Sequence, residues 1–355
     1  MASIRFKPSS NPFFDDLKQA VDGYFNQTGK DRTGNWTIYL KSVLLLSSLV
    51  AIYLLMLLLQ PLGWWGVLLC VLLGFTLAGI GFNIMHDSAH GSFSKYEWVN
   101  NLMSYSLNIM GGDVHLWKTK HNLVHHSFTN IEGVDDDIDI RPFMRLNEHQ
   151  EKLWFHKFQH LYGILLYALN YIVWVFYFDY KKYFSGKVGE TPIRRYNLGH
   201  HVSFWATKLG YYFIFLVLPM MLIGVVPTII GFLIATLTCG VVIGLTFQLA
   251  HVVEDLHFQE NEGGTMSLPV EWAVHQVQTT CNFATRSRIV NWCLGGLNHQ
   301  VEHHLFPRIS HVHYRSLSPI VKQVCERHGI EYHEHKTVFG ALKSHYVHLR
   351  EVGRA

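Results

Sequence analysis

Charged side chains are scarce in this sequence, and two long tracts contain none at all. Charged residues make up 15% of the 355 residues and apolar residues 49%, whereas soluble globular domains usually carry about 25% charged residues. No Asp, Glu, Lys or Arg occurs from Ser42 to Met85 or from Leu209 to Val253. One membrane-spanning helix needs about 20 apolar residues, so each tract is long enough for two. The pattern excludes an ordinary soluble domain and predicts a multi-pass membrane protein.

The cysteines are few and follow no pattern. Disulfide frameworks use paired and regularly spaced cysteines, but here the number is odd and no CxxC pair occurs. The sequence therefore predicts free or buried thiols at all five positions: Cys70, Cys239, Cys281, Cys293 and Cys325.

Proline and glycine divide each uncharged tract near its middle, at residues 60–63 and 224–227. These residue types favour tight turns, so each tract predicts two spans joined by a short turn. A further uncharged segment, residues 158–178, is also long enough to cross a membrane. The four predicted spans are residues 42–60, 64–85, 209–224 and 228–250.

Histidine is abundant, and its clusters follow the predicted spans instead of lying within them. HDSAH (residues 86–90) begins where the second span ends, and HNLVHH (121–126) lies in the next polar stretch. His251 ends the fourth span, and NHQVEHH (298–304) lies near the C-terminus. Histidines four residues apart share one helix face, so such a pair binds one metal or bridges two. The recurrence of the clusters at span ends predicts a polyhistidine metal site.

A single site requires all four clusters to lie on the same side of the membrane. Between residues 126 and 251 the chain must then cross an even number of times, and spans 209–224 and 228–250 already form one hairpin. Segment 158–178 is therefore expected to lie in the interface without crossing, and its Trp- and Tyr-rich ends suit that position. Neither turn between spans contains Lys or Arg, so the positive-inside rule places the histidines in the cytosol.

The predicted fold is an all-α integral membrane protein with one domain, residues 1–355. Four transmembrane helices form two hairpins, and a cytosolic helical cap, residues 86–208 and 251–355, holds a polyhistidine dimetal site. Both termini are expected in the cytosol. An amphipathic helix is predicted at residues 11–26, with Asn11 as its N-cap. Its apolar face lies either on the bilayer or against the protein, and the sequence leaves both open.

The number of histidines indicates two metal ions, because one four-coordinate zinc needs far fewer ligands. Imidazole suits Zn, Cu, Fe and Ni, so ligand type alone does not select the metal. Soluble di-iron proteins use Glu and ExxH motifs on a helical bundle, and no ExxH pair occurs among these clusters. Neutral imidazole ligands leave an iron centre strongly oxidising, which suits O2 activation and attack on an unactivated C–H bond.

The three boxes resemble the HxxxH, HxxxHH and QxxHH boxes of membrane fatty-acid desaturases. Gln300, in place of the usual first histidine of the third box, is similar to the front-end subgroup, and the flanking residues 295–298 and 305–307 strengthen the match. The resemblance covers about residues 40–330. It implies a four-span stem, two iron ions, O2 as co-substrate and insertion of a cis double bond into a fatty-acyl chain. The metal ligands that it implies are His86, His90, His121, His125, His126, His251, His303 and His304.

The resemblance also implies partners. The substrate is a fatty-acyl chain carried by CoA, a carrier protein or a lipid, and no nucleic acid is expected. The HPGG motif of a fused cytochrome b5 domain is absent, so a separate electron donor of ferredoxin or cytochrome b5 type is expected. The membrane is a bacterial cytoplasmic membrane or, alternatively, the endoplasmic reticulum. Basic residues near the boxes form either an ordinary cytosolic face or a docking site for an acidic donor or anionic acyl headgroup: Lys118, Lys120, Arg286, Arg288, Arg308 and Arg315.

Several neighbours of the boxes are candidates for supporting roles. Gln300 is a poor iron ligand and is expected to act through water or through a neighbouring ligand. Asp87 and Glu302 are candidates to orient imidazoles, because a metal-bound histidine usually donates its other N–H. His299 remains open as a ligand. The carboxylates of residues 135–139 either form a solvated loop or hydrogen-bond to ligand histidines. Five further histidines are expected to be ordinary surface residues: His115, His257, His275, His311 and His313.

Two other functions fit part of the pattern. A fatty-acyl hydroxylase would use the same scaffold, because hydroxylation and desaturation both begin with hydrogen abstraction. A non-catalytic metal-handling protein, such as a histidine-rich transporter, would place polar or ionisable groups at mid-membrane. The predicted spans contain none, which disfavours the transporter.

The parity of crossings gives a testable prediction. Single cysteines near Gln150 and near Lys187, on either side of segment 158–178, should both react with a membrane-impermeant thiol reagent from the cytosolic side. Imidazoles of one site cannot be separated by about 30 Å of hydrocarbon. Labelling from opposite sides would mean that the segment crosses or that the clusters do not form one site, and a third cysteine next to His303 would distinguish the two.

Overall fold

A computed structural model of the chain describes residues 4–8, 12–61, 63–189, 191–193, 196–260 and 266–355. Helices dominate it, as predicted, but six strands of two or three residues also occur. The helices in chain order are α1 (Phe13–Thr28), α2 (Trp36–Leu59), α3 (Trp64–Ala89), α4 (Glu97–Ser104), α5 (Ser106–Ile109), α6 (Val114–Lys118, continued by the π-helical Thr119–His125), α7 (His156–Ser185), α8 (Leu198–Ile223), α9 (Val225–His251), α10 (Trp272–Gln278), α11 (Arg288–Cys293), α12 (Gln300–Leu305), α13 (Tyr314–Arg327) and α14 (Val338–Val352).

The strands form three two-stranded pairs that tie loops of the cap together. In chain order they are β1 (Ile4–Phe6), β2 (Lys187–Val188), β3 (Thr191–Pro192), β4 (Met266–Leu268), β5 (Asn282–Phe283) and β6 (Glu334–His335). β1 pairs with β4 in parallel, β2 with β3 antiparallel, and β5 with β6 in parallel.

Five helices of the described chain are long and apolar enough to cross a membrane: α2, α3, α7, α8 and α9. Four of them match the predicted spans, two of which end one residue later than the helix, and α7 contains segment 158–178. Each helix extends beyond its predicted bounds at one end or both; α8, for example, begins at Leu198 instead of residue 209. Backbone hydrogen bonding continues through polar residues once a helix is nucleated, so hydropathy marks the membrane part and not the helix ends.

The turns that divide the uncharged tracts have the backbone that glycine favours. Gly63 has φ 62° before α3, and Gly224 alone separates α8 from α9 with φ 92°. Positive φ costs glycine little. Leu62, in the first predicted turn, lies outside the described residues. α9 contacts residues 213–223 of α8, next to the turn of the predicted hairpin, and it also packs against α3 and α7.

α7 is held at both ends by parts of the cap. Near its N-terminal end, Gln159 Nε2 donates a hydrogen bond of 2.8 Å to the backbone oxygen of Leu349 in α14. Near its C-terminal end, Asp179 accepts hydrogen bonds from the backbone N–H of Asp113 and from Lys208 Nζ. Its middle packs on α9, where Gly240 and Gly244 leave no room for a side chain against residues 167–168. Both ends of α7 therefore contact elements that adjoin the histidine clusters.

α1 packs against the protein, which decides between the two positions that the sequence left open. Its apolar face buries Phe13, Leu17, Val21 and Phe25 completely or nearly so. These side chains pack on α13 and on residues of α10 and α12. The helix begins at Phe13; the predicted N-cap, Asn11, lies outside the described residues.

Candidate metal centre

The first histidine box lies at the end of a membrane-spanning helix that changes its winding. A π-helical turn at Gly81–Met85 precedes His86, and the helix ends at Ala89. Such turns occur frequently at functional sites, because one extra residue rotates the following side chains. The ring centroids of His86 and His90 are 4.8 Å apart, so the two imidazoles of the predicted i, i+4 pair lie next to each other.

The second box lies on a π-helix, and this changes which histidines are neighbours. The N–H of His126 donates to the backbone oxygen of His121, five residues earlier. The Nε2 atoms of His121 and His126 are 3.3 Å apart. His125 also faces the other boxes, with its ring 4.8 Å from His251 and 4.9 Å from His304. The pair that the sequence places on one face, His121 and His125, stays close with stacked rings 5.1 Å apart, and the π-helix adds His126 as a second close neighbour of His121.

The third box lies on the short helix α12, which two glycines bring close to α3. Gly295 and Gly296 have φ 57° and 70°. A side chain at Gly295 would collide with the backbone of Phe82, and one at Gly296 with His311. Because this loop approaches so closely, His303 reaches His86, with ring centroids 4.4 Å apart.

The eight predicted ligands converge in one buried space and form connected groups. His86, His90, His121 and His303 offer ring nitrogens that all lie within 4.8 Å of one another. His125, His251 and His304 form a second such group. His126 joins His303 and His304 in a third, which links the first two. An arrangement of two adjoining groups suits two metal ions.

Most of the predicted ligands have a buried ring nitrogen that lacks a hydrogen-bond partner in the described part of the chain. Buried polar atoms are normally hydrogen-bonded, and exceptions need an explanation. Here one nitrogen on each of six predicted ligands is buried without a hydrogen bond: Nε2 of His90, His125, His251, His303 and His304, and Nδ1 of His126. Buried ring nitrogens without hydrogen-bond partners, on rings that share one space, fit a metal-binding role.

The electrostatics of the site favour neutral imidazole, the form that binds metal. Burial, together with the neighbouring histidines, lowers the pKa of His90, His126, His303 and His304 well below the usual value. Burial also lowers the pKa of His125, but the carboxylate of Asp135 outweighs it and leaves that pKa raised.

Other residues hold the imidazoles through their second nitrogens. Asp135 Oδ2 lies 2.9 Å from Nδ1 of His125, and Gln276 Oε1 lies 2.9 Å from Nδ1 of His304. Tyr314 Oη lies 3.1 Å from Nδ1 of His303. Such outer partners fix ring orientation and raise ligand basicity. Asp135 belongs to the acidic stretch noted in the sequence, whereas no motif distinguishes Gln276 or Tyr314.

The first part of the acidic stretch, residues 135–137, is therefore not a solvated loop. Asp135 is buried, and Asp137 Oδ2 lies 3.6 Å from Nδ1 of His121 and 3.9 Å from Nδ1 of His125. Lys120 pairs with Asp137 at 2.6 Å. Burial raises the pKa of Asp137, but Lys120 and the histidines outweigh burial and hold it well below the usual value. Asp139 is different, since it pairs with the exposed Arg141.

Three residues with predicted supporting roles have other partners. Asp87 accepts a hydrogen bond from Ser310 and lies 3.0 Å from Nδ1 of His311. Glu302 accepts from Asn282 and Tyr332, and Gln300 donates to the backbone oxygen of Leu297. These contacts are made with residues other than the eight predicted ligands, and they stabilise the loops around α12. The role of Asp87 and Glu302 in orienting ligand imidazoles stays a prediction.

Histidines outside the boxes are more buried than predicted. His275, His311 and His313 are buried, not at the surface, although each has a partner: Nε2 of His275 lies 2.8 Å from the backbone oxygen of Thr129. His299 is also buried, and it lies outside the groups that the eight predicted ligands form. Its nearest charged neighbour is Glu302, at 3.7 Å.

Fold and site together define a class: a helical multi-pass membrane protein with a buried polyhistidine site suited to metal. Comparison with known proteins identifies the family, because residues 62–336 match the fatty acid desaturase family. The chain belongs to this family, and it is an oxidoreductase acting on fatty-acyl chains.

The curated proteins that are similar to this chain over most of their length are desaturases. The sn-1 linoleoyl-lipid 6-desaturase of Arthrospira platensis is 34% identical over 342 residues, which cover 96% of this chain and 92% of that protein. An sn-1 linoleoyl-lipid 6-desaturase of Synechocystis is also 34% identical, over 343 residues. The acyl-lipid (8-3)-desaturase of Physcomitrium patens is 33% identical over 99% of this chain and 74% of that protein.

Replacing His303 and His299, one at a time, tests the ligand set. We expect His303→Ala to lose most bound metal and all product, because His303 belongs to two of the groups, while membrane insertion is retained. His299→Ala should keep both metal and activity more fully. Metal content per protein, measured by mass spectrometry, and product yield give the comparison. Equal metal loss in the two variants would make His299 a ligand. Substitution of His125 or His126 by alanine should also abolish product.

Asp135 and Asp139 provide a matched pair of variants that tests the contacts to the second ring nitrogens of the predicted ligands. Asp135→Asn should weaken metal affinity by about 10–100-fold, the usual effect of losing an outer partner, because His125 loses its carboxylate acceptor. Asp139→Asn, on the same loop but facing Arg141, should leave the affinity unchanged. Competition with a chelator measures both affinities. Equal effects would show that loop disruption, and not orientation of His125, lowers the affinity.

Proposed function

We propose that this protein is an O2-dependent di-iron acyl desaturase of the front-end type. The observation that carries the proposal is the convergence of all eight predicted ligands in one buried space; six of them have a buried ring nitrogen without a hydrogen-bond partner in the described residues. The proposed iron ligands are His86, His90, His121, His125, His126, His251, His303 and His304.

The chain's own residues would prepare the site for this reaction. Two iron ions held there would supply the activation of O2 that removal of hydrogen from an alkyl chain needs. Asp135, Gln276 and Tyr314 hold ligand rings in fixed orientations through their Nδ1 atoms. Burial of the groups keeps water away, which favours abstraction of hydrogen from substrate over side reactions.

We propose that four of the five apolar helices cross the membrane and that α7 does not. Lys208 donates hydrogen bonds to the backbone oxygens of Gly111 and Val175 and to Asp179. These contacts join the start of the third span and the C-terminal end of α7 to the loop between the first two boxes. The N-terminal end of α7 contacts α14, which follows the third box. An even number of crossings requires both ends of α7 to lie on the histidine side, and these contacts support that position.

For the cysteine experiment proposed above, the exposed Glu151 is a better labelling position than Gln150, which is buried.

The substrate is proposed to be an acyl chain of a membrane lipid, in line with the names of the relatives. A cavity of about 440 Å³ lies between α2, α5 and α8. Asn108 and Ile109 of α5 line it, while Leu107 packs with Met85, Ala89 and Trp117 beside the first box. Trp117 stacks on His121 with centroids 4.4 Å apart. An acyl chain entering from the bilayer would reach the metal site past α5.

Electrons are proposed to come from a separate donor of ferredoxin or cytochrome b5 type that docks on the cytosolic side. Lys118 and Lys120 lie half-buried next to Trp117, but Lys120 is already paired with Asp137. The exposed Arg286, Arg288, Arg308 and Arg315 remain the better candidates for an acidic donor. We propose a bacterial cytoplasmic membrane as the location, with the endoplasmic reticulum as the alternative.

A lipid analysis tests the proposed reaction. A host that lacks polyunsaturated fatty acids would express the protein and be fed saturated, oleic or linoleic acid. We expect a new double bond on the carboxyl side of an existing one, formed only with O2 and absent in the His125→Ala variant. Methyl-ester profiling of lipid classes measures the product and its carrier. Hydroxylated chains instead of new double bonds would assign the hydroxylase reaction, and no new product with bound metal would favour a metal-handling role.

A further inference from the structure

The C-terminal helix α14 exposes a regular stripe of aromatic and basic side chains. Phe339, Lys343, Tyr346 and Arg350 are all exposed, and their spacing of four, three and four residues places them on one helix face. Phe339 is 76% exposed and Tyr346 43%. The opposite face is buried through Ala341, Ser344, His345 and Leu349. Glu351 is also exposed, next to Arg350.

The stripe continues onto the segment at the start of α7. Tyr346 packs edge-on against His160 with ring centroids 5.0 Å apart, and the backbone of Gly353 lies against that of His156. Trp154, just before α7, is 78% exposed, and Lys157 is exposed beside it. The exposed face of α7 is then purely aliphatic for two turns: Leu161, Ile164, Leu165 and Leu169.

The depth of α14 follows from its contacts with the last span. Nδ1 of His345 lies 2.6 Å from the backbone oxygen of Val252, the residue that follows α9. The hydroxyl of Tyr167 contacts the same His345, and Tyr167 also packs against Gly244 of α9. At 1.5 Å per residue, Gly244 lies about 10 Å from the C-terminal end of α9. α14 therefore lies at the level where the last span leaves the membrane.

Aromatic residues concentrate at the membrane–water interface, where an apolar ring and a polar edge both find suitable surroundings. Clusters of Lys and Arg at that level attract anionic lipid headgroups. A stripe with both residue types at this depth, continuous with the aliphatic face of α7, has the chemistry of a membrane contact. We propose that α14, with Trp154 and Lys157, lies on the cytosolic membrane surface and binds anionic phospholipid headgroups.

Depth-dependent quenching tests the position of the helix. In full-length protein with Cys293, an exposed thiol, replaced by serine, Tyr346→Cys would carry a fluorescent label in nanodiscs that contain lipids brominated near the headgroup. We expect clear quenching at position 346 and none at the matched control Ser316→Cys, an exposed position on α13, which packs on α1. Equal quenching at the two positions would overturn the proposal. A disulfide between two copies at residue 346 would assign the face to a second copy and would also overturn it.

Charge reversal tests the headgroup preference separately from the reaction. The protein would be extracted from mixed phosphatidylglycerol and phosphatidylcholine vesicles and its retained lipid measured by mass spectrometry. We expect about a twofold or greater enrichment of phosphatidylglycerol, which falls to none in Lys343→Glu with Arg350→Glu. The control with the same change in net charge, Arg315→Glu with Arg327→Glu on α13, should keep the enrichment. Equal loss in both variants would show that total charge, and not α14, recruits the lipid.

Discussion

The structure depends on one constraint: eight imidazoles are packed into a single buried space in which most of their inward nitrogens have no protein partner. Each such nitrogen costs about 1–3 kcal/mol if nothing binds it. A bound metal removes this cost, so metal binding and folding of the cap are expected to be coupled. The proposed di-iron assignment offers a physical reason for an arrangement that a protein without metal would not favour.

Much of the backbone geometry follows from bringing four chain segments to that space. The π-helical turns before His86 and through residues 119–125 rotate the ring nitrogens into two adjoining groups. Gly295 and Gly296 allow the third box to approach α3 more closely than any side chain would permit. Asp135, Gln276 and Tyr314 then fix the rings from outside.

The lipid contacts of the cap have a similar logic. α7 is apolar enough to cross, yet its two ends are tied to α14 and to the loop near Asp113. In the proposed topology both ends lie on the histidine side, so α7 would lie along the membrane surface or dip into it. That position would expose its leucines to lipid, beside the aromatic residues of α14.

Composition and spacing predicted the membrane class, the two tight turns and the histidine clusters at the span ends, and the resemblance to the three boxes supplied the eight ligands, because uncharged tracts and box motifs are local patterns. They did not determine which imidazoles are neighbours. The π-helix brings His126 beside His121, and i, i+4 spacing does not reveal a π-helix. Nor did they identify Gln276 and Tyr314, or show that Asp87 and Glu302 bond elsewhere. These contacts join residues far apart in the chain, so only the packing of the cap decides them.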